Sequence, residues 1–289
     1  MKGIILAGGS GTRLFPLTSF ISKQLLPVYD KPMIYYPLSI LLLAGIKEVL
    51  IITTPESNGM FIKTLGDGSQ WGIKIIYKIQ MKPNGIPEAF IIGKDFIKDD
   101  RVCFILGDNL FYGESFINKH LLPNFKRNDA VIFGHNVSDP KRYGVVDFDN
   151  EFNIKSLEEK PKKPKSNYAI SGIYIFDKNV YEIAKNLKPS DRGETEIIDV
   201  LNHYLKNDNL KLEVLNRGVS WFDTGTHKSL LEASVFVEVL ESRQGLKIAC
   251  LEEICFQKGY INKSDLINLA KPMKNSSYGE YLLKIANSK

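Results

Sequence analysis

Several residue groups in this chain have the types and order that suit work on phosphorylated substrates. The first is Leu6-Ala7-Gly8-Gly9-Ser10-Gly11-Thr12-Arg13-Leu14, directly after a short apolar run. Glycines at such a place let backbone N–H groups close on phosphate oxygens with no Cβ in the way. Arg13 adds a planar fork of donors, and Lys23, in Ser22-Lys23-Gln24, is a second cation nearby. A Walker A loop would end in Gly-Lys-Ser/Thr, which is missing, and a dinucleotide fingerprint starting at Gly9 would need a glycine where Leu14 stands. The broken fingerprint also argues against a hydride-transferring dehydrogenase.

The second group is a pair of distant aspartates. Asp108 follows Val102-Cys103-Phe104-Ile105-Leu106 through Gly107, and Asp223 follows Trp221-Phe222 and precedes Thr224-Gly225. Carboxylates at strand ends can share one magnesium ion, the hard cation that nucleotide phosphates require. A third group is Leu157-Glu158-Glu159-Lys160-Pro161 with Arg142-Tyr143-Gly144-Val145. Taken alone, the former reads as a solvated turn. A fourth is Gln80-Met81-Lys82-Pro83-Asn84-Gly85, where Gln80 carries both a donor and an acceptor, as a pyrimidine edge needs, and Gly85 allows close backbone approach.

These groups need a scaffold. Short β-branched runs at 3–6, 48–53, 73–79, 102–106 and 131–135 alternate with helical patterns, among them an apolar helix expected over 33–44 and stopped by Gly45. That alternation predicts an α/β fold with a mostly parallel or mixed sheet flanked by helices, whose ligands bind beyond the carboxyl ends of the strands. After about residue 139 the pattern changes to a hairpin (143–148 with 154–158), a strand at 169–176, a helix at 194–204 and a strand ending at Asp223. From Lys228 the chain reads as helical. We expect a core over 1–225, with nucleotide binding in about 1–138 and sugar binding in about 139–225, and a helical appendage over 226–289.

Composition narrows the classes. The 289 residues are 44% hydrophobic and 25% charged, enough for an ordinary core. A net charge of +5 without a basic, aromatic-interleaved stripe argues against nucleic acid and suits small anionic substrates. Three cysteines without C-x-x-C spacing suggest buried thiols rather than disulfides or zinc. Met1 leads straight into a short apolar run, so neither a signal peptide nor a membrane span is expected, and the cytoplasm is the expected compartment.

The loop at Gly8, Lys23, the run Asp30-Lys31-Pro32-Met33-Ile34-Tyr35-Tyr36, the segment from Leu65 to Gly72 and the tail at Gln244-Gly245-Leu246-Lys247 together resemble the sugar nucleotidyltransferase family, most closely its thymidylyl-transferring branch. The resemblance implies a Rossmann-like sheet, a magnesium ion on Asp108 and Asp223, and transfer from dTTP to glucose-1-phosphate in a cytoplasmic homotetramer that feeds deoxysugar synthesis. It assigns Arg13, Lys23, Asp108, Lys160 and Asp223 to catalysis. Leu6, Gly8, Gly9, Gly11, Thr12, Gln80, Pro83, Gly85 and Asp108 would bind the nucleotide. Asn109, Tyr143, Gly144, Glu159, Lys160, Ile170 and Arg192 would bind the sugar phosphate.

Two departures stand out. Where the family continues Leu-Ala-Gln-Ala after the base loop, this chain has Ile86-Pro87-Glu88-Ala89. A regulatory nucleotide site implied at Tyr112, Gly113, Arg217, Gly218 and Lys247 lacks one family arginine, replaced by Gln257. Uridylyl transfer and a non-catalytic nucleotide-sugar sensor are the competing functions.

Overall fold

The computed structural model describes every residue except Ser10, Asp191, Arg192 and Lys289. The strands are β1 (Lys2–Ala7), β2 (Pro27–Val28), β3 (Lys31–Pro32), β4 (Glu48–Thr53), β5 (Lys74–Ile79), β6 (Val102–Leu106), β7 (Asn109–Tyr112), β8 (Ala130–Asn136), β9 (Gly144–Phe148), β10 (Ile154–Glu159), β11 (Tyr168–Phe176), β12 (Leu210–Val214) and β13 (Ser220–Asp223). The α-helices are α1 (Tyr35–Leu43), α2 (Asn58–Leu65), α3 (Glu88–Ile92), α4 (Lys94–Ile97), α5 (Val180–Lys185), α6 (Ile197–Lys206), α7 (His227–Gln244), α8 (Leu251–Gln257), α9 (Lys263–Ala270) and α10 (Ser277–Asn287).

The main sheet runs β10-β9-β11-β6-β1-β4-β5, with β8 and β12 added beside β11. Strands β6, β1, β4 and β5 are parallel, while β11 is antiparallel to β6, β8 and β9. The α/β expectation holds, and the sheet is mixed because the second half of the chain joins by hairpin-like returns. Alternation along each strand sends side chains to opposite faces. Ile5, Val49, Ile51, Cys103 and Ile105 enter one apolar cluster, whereas Ile4, Leu50, Ile52, Val102 and Phe104 enter the other. The first cluster also takes Leu38 and Leu42 of α1 and Leu251, Cys255, Leu266 and Leu282 of the last helices. The C-terminal helices therefore share the core of the parallel half of the sheet.

Helix α1 is apolar all round, as a helix buried between a sheet and another helix must be. It begins at Tyr35 rather than Met33, and the Met33 and Ile34 N–H groups at its entry, which a helix leaves without an internal partner, donate to the carbonyls of Leu26 (2.9 Å) and Gln24 (2.8 Å). Gly45, at φ +84°, ends it. Helix α6 starts at Ile197, later than the pattern suggested, because Glu196 before it is extended, at φ −100° and ψ 139°, and the Thr195 N–H is given to the Asn84 carbonyl at 2.8 Å.

One irregularity matters for function. Strand β11 pairs with β9 at Ala169 but with β6 from Ile173 onward. Asn109 fills the fork between them: its Oδ1 accepts from the Gly172 N–H at 3.2 Å and from the Trp221 Nε1–H. A Cβ at residue 172 would lie 2.5 Å from that oxygen, so the wedge requires glycine.

Candidate active site

The carboxyl ends of β1 and β6 open onto a cleft with three adjoining compartments. The first, about 440 Å³, is lined by Gly8, Gly9, Gln80, Met81, Lys82 and Pro83 with parts of the segments around Thr18–Ser22 and Thr54–Met60. A narrower one of about 180 Å³ lies between Gly9, Gly11, Thr12, Arg13, Lys23, Asp108 and Gly225. The third, about 220 Å³, holds Asn109, Tyr143, Gly144, Glu159, Lys160 and Ile170. Gly9 belongs to the first two, and Arg13 and Asp108 to the last two, so the compartments form one trough.

The middle compartment carries the charge. Asp108 lines it and Asp223 adjoins it from the third compartment, and strand pairing explains how the two aspartates meet. In the β7–β13 ladder Asp223 stands opposite Asn109, the neighbour of Asp108. The Asp108 carbonyl then accepts from both the Thr224 N–H (3.2 Å) and the Thr224 hydroxyl (2.8 Å), tying the two turns together. Lys23 donates to Asp108 Oδ2, and Asn109 Nδ2 donates to Asp108 Oδ1 at 2.8 Å. Burial alone would raise the Asp108 carboxyl, but the Lys23 ammonium and the Asn109 amide outweigh it and hold the group below the usual carboxylate range. Asp223 moves the other way: burial and the neighbouring Asp108 charge push it up, against the pull of Lys23, Arg13 and Arg142. Two carboxylates that oppose each other's ionisation in a shielded place, both oxygen donors, suit a hard divalent cation. Among the described residues no cluster of three or more His, Cys, Asp or Glu side chains is arranged for a metal. An ion here would take two protein carboxylates and leave its other positions to phosphate and water, the habit of magnesium.

Gly225 lets the cluster close. A Cβ there would lie 3.0 Å from Asp223 Oδ1 and 3.1 Å from Arg13 Nη2. The Gly-rich loop is itself anchored by the Thr18 hydroxyl, which donates to the Gly11 carbonyl at 2.7 Å, with Gly11 at φ +64°.

In the third compartment Lys160 adopts φ +43°, a left-handed conformation rare for a side-chain-bearing residue, and its N–H donates to the Tyr143 carbonyl at 3.0 Å. Its ammonium stays half exposed, 3.3 Å from Glu159 Oε1. Burial and then the Asp223 charge push the Tyr143 phenol upward. Arg142 and Trp221, quoted above only as neighbours of Tyr143 and Asp223, also line this compartment. The Tyr143 and Trp221 rings pack at 5.2 Å. Asn109 lines it too, although its oxygen is committed to the fork in the sheet.

In the first compartment Gln80 is buried. A Cβ on Gly8 would lie 2.4 Å from Gln80 Oε1, so Gly8 is what leaves that oxygen open to the cleft. Leu6 and Gly85 stand behind the wall: Leu6 lies under Gly8, and the Gly85 carbonyl accepts from Gln80 Nε2 at 3.1 Å. Gly85, at φ +112°, forms a β-bridge with Thr195, and a Cβ there would strike the Thr195 carbonyl at 2.0 Å. The loop at 80–85 is thus fastened to the segment leading into Glu196 and Ile197, which line the third compartment. Arg192 lies outside the described residues.

The nucleotidyl transferase family model matches residues 2–239, the stretch that contains all these groups. The chain belongs to the nucleotidyl transferase family. A glucose-1-phosphate thymidylyltransferase of Neisseria gonorrhoeae is 53% identical over 285 residues, covering 99% of each chain. A crystal structure of a candidate glucose-1-phosphate thymidylyltransferase from Bacillus anthracis aligns with a TM-score of 0.75 at 41% identity, over 82% of this chain and 94% of that one. A UDP-glucose pyrophosphorylase bound to UDP-glucose aligns at TM-score 0.73 with 24% identity, over 84% of this chain and 99% of that one, a likeness of fold alone. Among the described residues of this nucleotidyl transferase, no helix is long and apolar enough to cross a membrane.

At the implied regulatory site, Gly113 and Gly218 are packed so closely that a Cβ on the former would lie 2.4 Å from the carbonyl of the latter. Lys247, however, donates to Asp30 and to Glu241 Oε2 (3.1 Å), and Gln257 donates to Glu253 at 2.9 Å. Two carboxylates of the chain itself thus hold the ammonium expected to meet a ligand there.

Proposed function

We propose that this nucleotidyl transferase moves the thymidylyl group of dTTP onto glucose-1-phosphate, giving dTDP-glucose and pyrophosphate. The observation that carries this reading is the cluster of Arg13, Lys23 and Asp108 at the narrow point between two larger compartments, with Asp223 beside it on the wall of the third. A phosphate-rich junction between a base and a sugar belongs at such a point. The base occupies the compartment of Gly8, Gln80 and Pro83, and the sugar that of Tyr143, Gly144, Glu159 and Ile170, with Asn109 holding the wall.

The nucleophile needs no base, because a sugar phosphate is already an anion at neutral pH. One of its oxygens bonds to the α-phosphorus of dTTP as the bond from that phosphorus to the bridging oxygen breaks, and pyrophosphate carries away the electron pair. The protein then contributes position and charge. Backbone N–H groups at Gly8–Gly11 and the Arg13 guanidinium meet the triphosphate, and Lys23 balances charge on the departing side. Lys160 and Arg192 orient the sugar phosphate. Magnesium held by Asp108 and Asp223 would supply charge neutralisation on the phosphates.

Residues 1–138 serve the nucleotide and 139–225 the sugar phosphate, while the helices of 226–289 pack into the core beside them. The exposed stripe of Leu231, Val235 and Val239 on α7, spaced one turn apart, supports assembly of copies into a homotetramer. Three buried free thiols suit the reducing cytoplasm, and the product would feed dTDP-deoxysugar synthesis. The test is pyrophosphate release with glucose-1-phosphate and each of dTTP, UTP, CTP, ATP and GTP, with and without magnesium. Preference for dTTP is expected. Preference for UTP would replace the thymidylyl assignment by uridylyl transfer, and no release with any nucleotide would leave a sensor.

A further inference from the structure

The mouth of the first compartment is more apolar than a nucleotide's phosphates require. Phe20 is 80% exposed and Met81 74% exposed, although both line that compartment. Ile21, Met60 and Pro83 line it as well. A single bared apolar side chain on a protein surface carries no message, but two of them together at the opening of a cleft mark a place where something apolar is received.

The backbone under the Phe20 ring is fixed. Leu17–Ser19 form one 3₁₀ turn that ends at Phe20. The Ser19 hydroxyl donates to the Pro16 carbonyl at 2.7 Å, and the Thr18 hydroxyl donates to the Gly11 carbonyl at 2.7 Å. The ring is therefore tied, two residues away, to the glycine-rich loop that borders the charged compartment. Gly8 and Gly9 line the first compartment too, and a Cβ on Gly9 would meet nothing within 4 Å. A flat base entering here finds bare backbone and open space at the glycines, and an aromatic ring on a held turn at Phe20.

We propose that Phe20 stacks on the base of the bound nucleotide, so that binding covers a ring that is bare in the free protein. Stacking uses the π face of a base rather than its hydrogen-bonding edge, and every base has such a face. Phe20 thus adds affinity for the nucleoside part without choosing among bases, a task separate from reading the edge. Inorganic tripolyphosphate, which has the charge of the nucleotide and no base, gains nothing from it. The inference rests on the assignment of the base to the compartment of Gly8 and Gln80.

The test measures equilibrium affinity for dTTP and for inorganic tripolyphosphate, each with magnesium, in the parent, Phe20→Ala, Phe20→Trp and Gly8→Ala. Phe20→Ala is expected to bind dTTP roughly tenfold more weakly, to bind tripolyphosphate within about twofold of the parent, and to lose kcat/KM by a similar factor for dTTP, UTP and dCTP. Phe20→Trp should hold dTTP as tightly as the parent, and the indole emission it adds to that of Trp71 and Trp221 should be quenched by dTTP and not by tripolyphosphate. Equal losses for dTTP and tripolyphosphate in Phe20→Ala would trace the effect to a disturbed glycine-rich loop and refute the stack. Unchanged dTTP affinity in Phe20→Ala beside a loss in Gly8→Ala would leave the base compartment standing and refute it too, and an altered mass in sedimentation would then give the ring to a contact between copies. If both variants bind dTTP as the parent does, the base lies elsewhere and the inference falls together with the assignment beneath it.

Discussion

Replacing Lys23 by methionine probes the physics of the narrow compartment most directly. Lys23 and Asp108 form an ion pair whose side chains are only 7% and 21% exposed, and Asp223 faces the same place. Methionine keeps most of the side-chain volume and removes the charge, which leaves two partly buried carboxylates without their central cation. Breaking a buried pair from one side costs about 3–5 kcal/mol. An independent ceiling agrees: the folded protein can escape the repulsion by keeping a proton on one carboxylate, and at pH 7.5 this costs about 5 kcal/mol for a group of ordinary pKa. We expect the lower end, about 3 kcal/mol, because Arg13 and Arg142 still reach Asp223. In a thermal melt without metal that corresponds to a loss of roughly 5 °C.

The pH dependence has a definite sign. The folded variant keeps a proton that the unfolded chain releases, so its stability falls as pH rises above the ordinary carboxylate range, by up to about 1.4 kcal/mol per pH unit. The gap between parent and variant should therefore be widest at alkaline pH and close toward pH about 4. Millimolar magnesium should recover more of the melting temperature in Lys23→Met than in the parent, since the ion replaces the missing charge. Equal melting temperatures for parent and variant across pH without metal would refute this electrostatic account. So would equal stabilisation of both by magnesium.

Other perturbations follow from the same geometry. For Gly225→Ala, the new methyl must push on both the Asp223 carboxylate and the Arg13 guanidinium, so we expect kcat to fall roughly a hundredfold with little change in dTTP binding, a split that steady-state kinetics and nucleotide titration would check. Gly8→Ala puts a methyl on the Gln80 oxygen and should raise KM for dTTP by roughly tenfold, whereas KM for glucose-1-phosphate stays near its parent value. Asn109→Ala strips the acceptor from the Gly172 N–H and the Trp221 indole together, and chemical denaturation should register a loss of about 2–4 kcal/mol. The acid limb of kcat/KM should lie above the ordinary carboxylate range, because Asp223 is raised and must lose its proton to take up metal. It should move to lower pH as magnesium concentration rises, and a limb fixed against magnesium would contradict the shared role of the two aspartates.

Much of this was legible in the chain because it depends on local pattern. The strand-glycine-aspartate step at Leu106-Gly107-Asp108 and the turn after Phe222 each announce a carboxylate at a strand end, and the alternating runs announce the sheet. The approach of the two carboxylates was expected only through the family resemblance and not from local pattern, since it is made by β7 pairing with β13 across more than a hundred residues and by Thr224 bonding the Asp108 carbonyl. Strand β7 itself is short and sits directly after a turn, with no alternation to mark it. Asn109 looked like a sugar contact, whereas half of its amide is spent holding the β11 fork. Its signal was the glycine at position 172 inside an otherwise apolar strand, which marks a close approach. For Glu88 the departure was visible, but whether it faced the substrates or Gln80 depended on the helix that starts there.

The bridge between the two ends of the trough has a consequence for how such a protein can change. The Asn84 carbonyl receives both the N–H and the hydroxyl of Thr195, at 2.8 and 3.0 Å, beside a glycine that leaves no slack. The loop that meets the base and the segment that leads to the sugar wall are thus one mechanical part. Any residue at position 84 offers a backbone carbonyl, but only a glycine at 85 lets the Thr195 backbone come this close. An exchange of residues 80–88 is therefore compatible with the far side of the trough only where the incoming loop keeps that glycine in register.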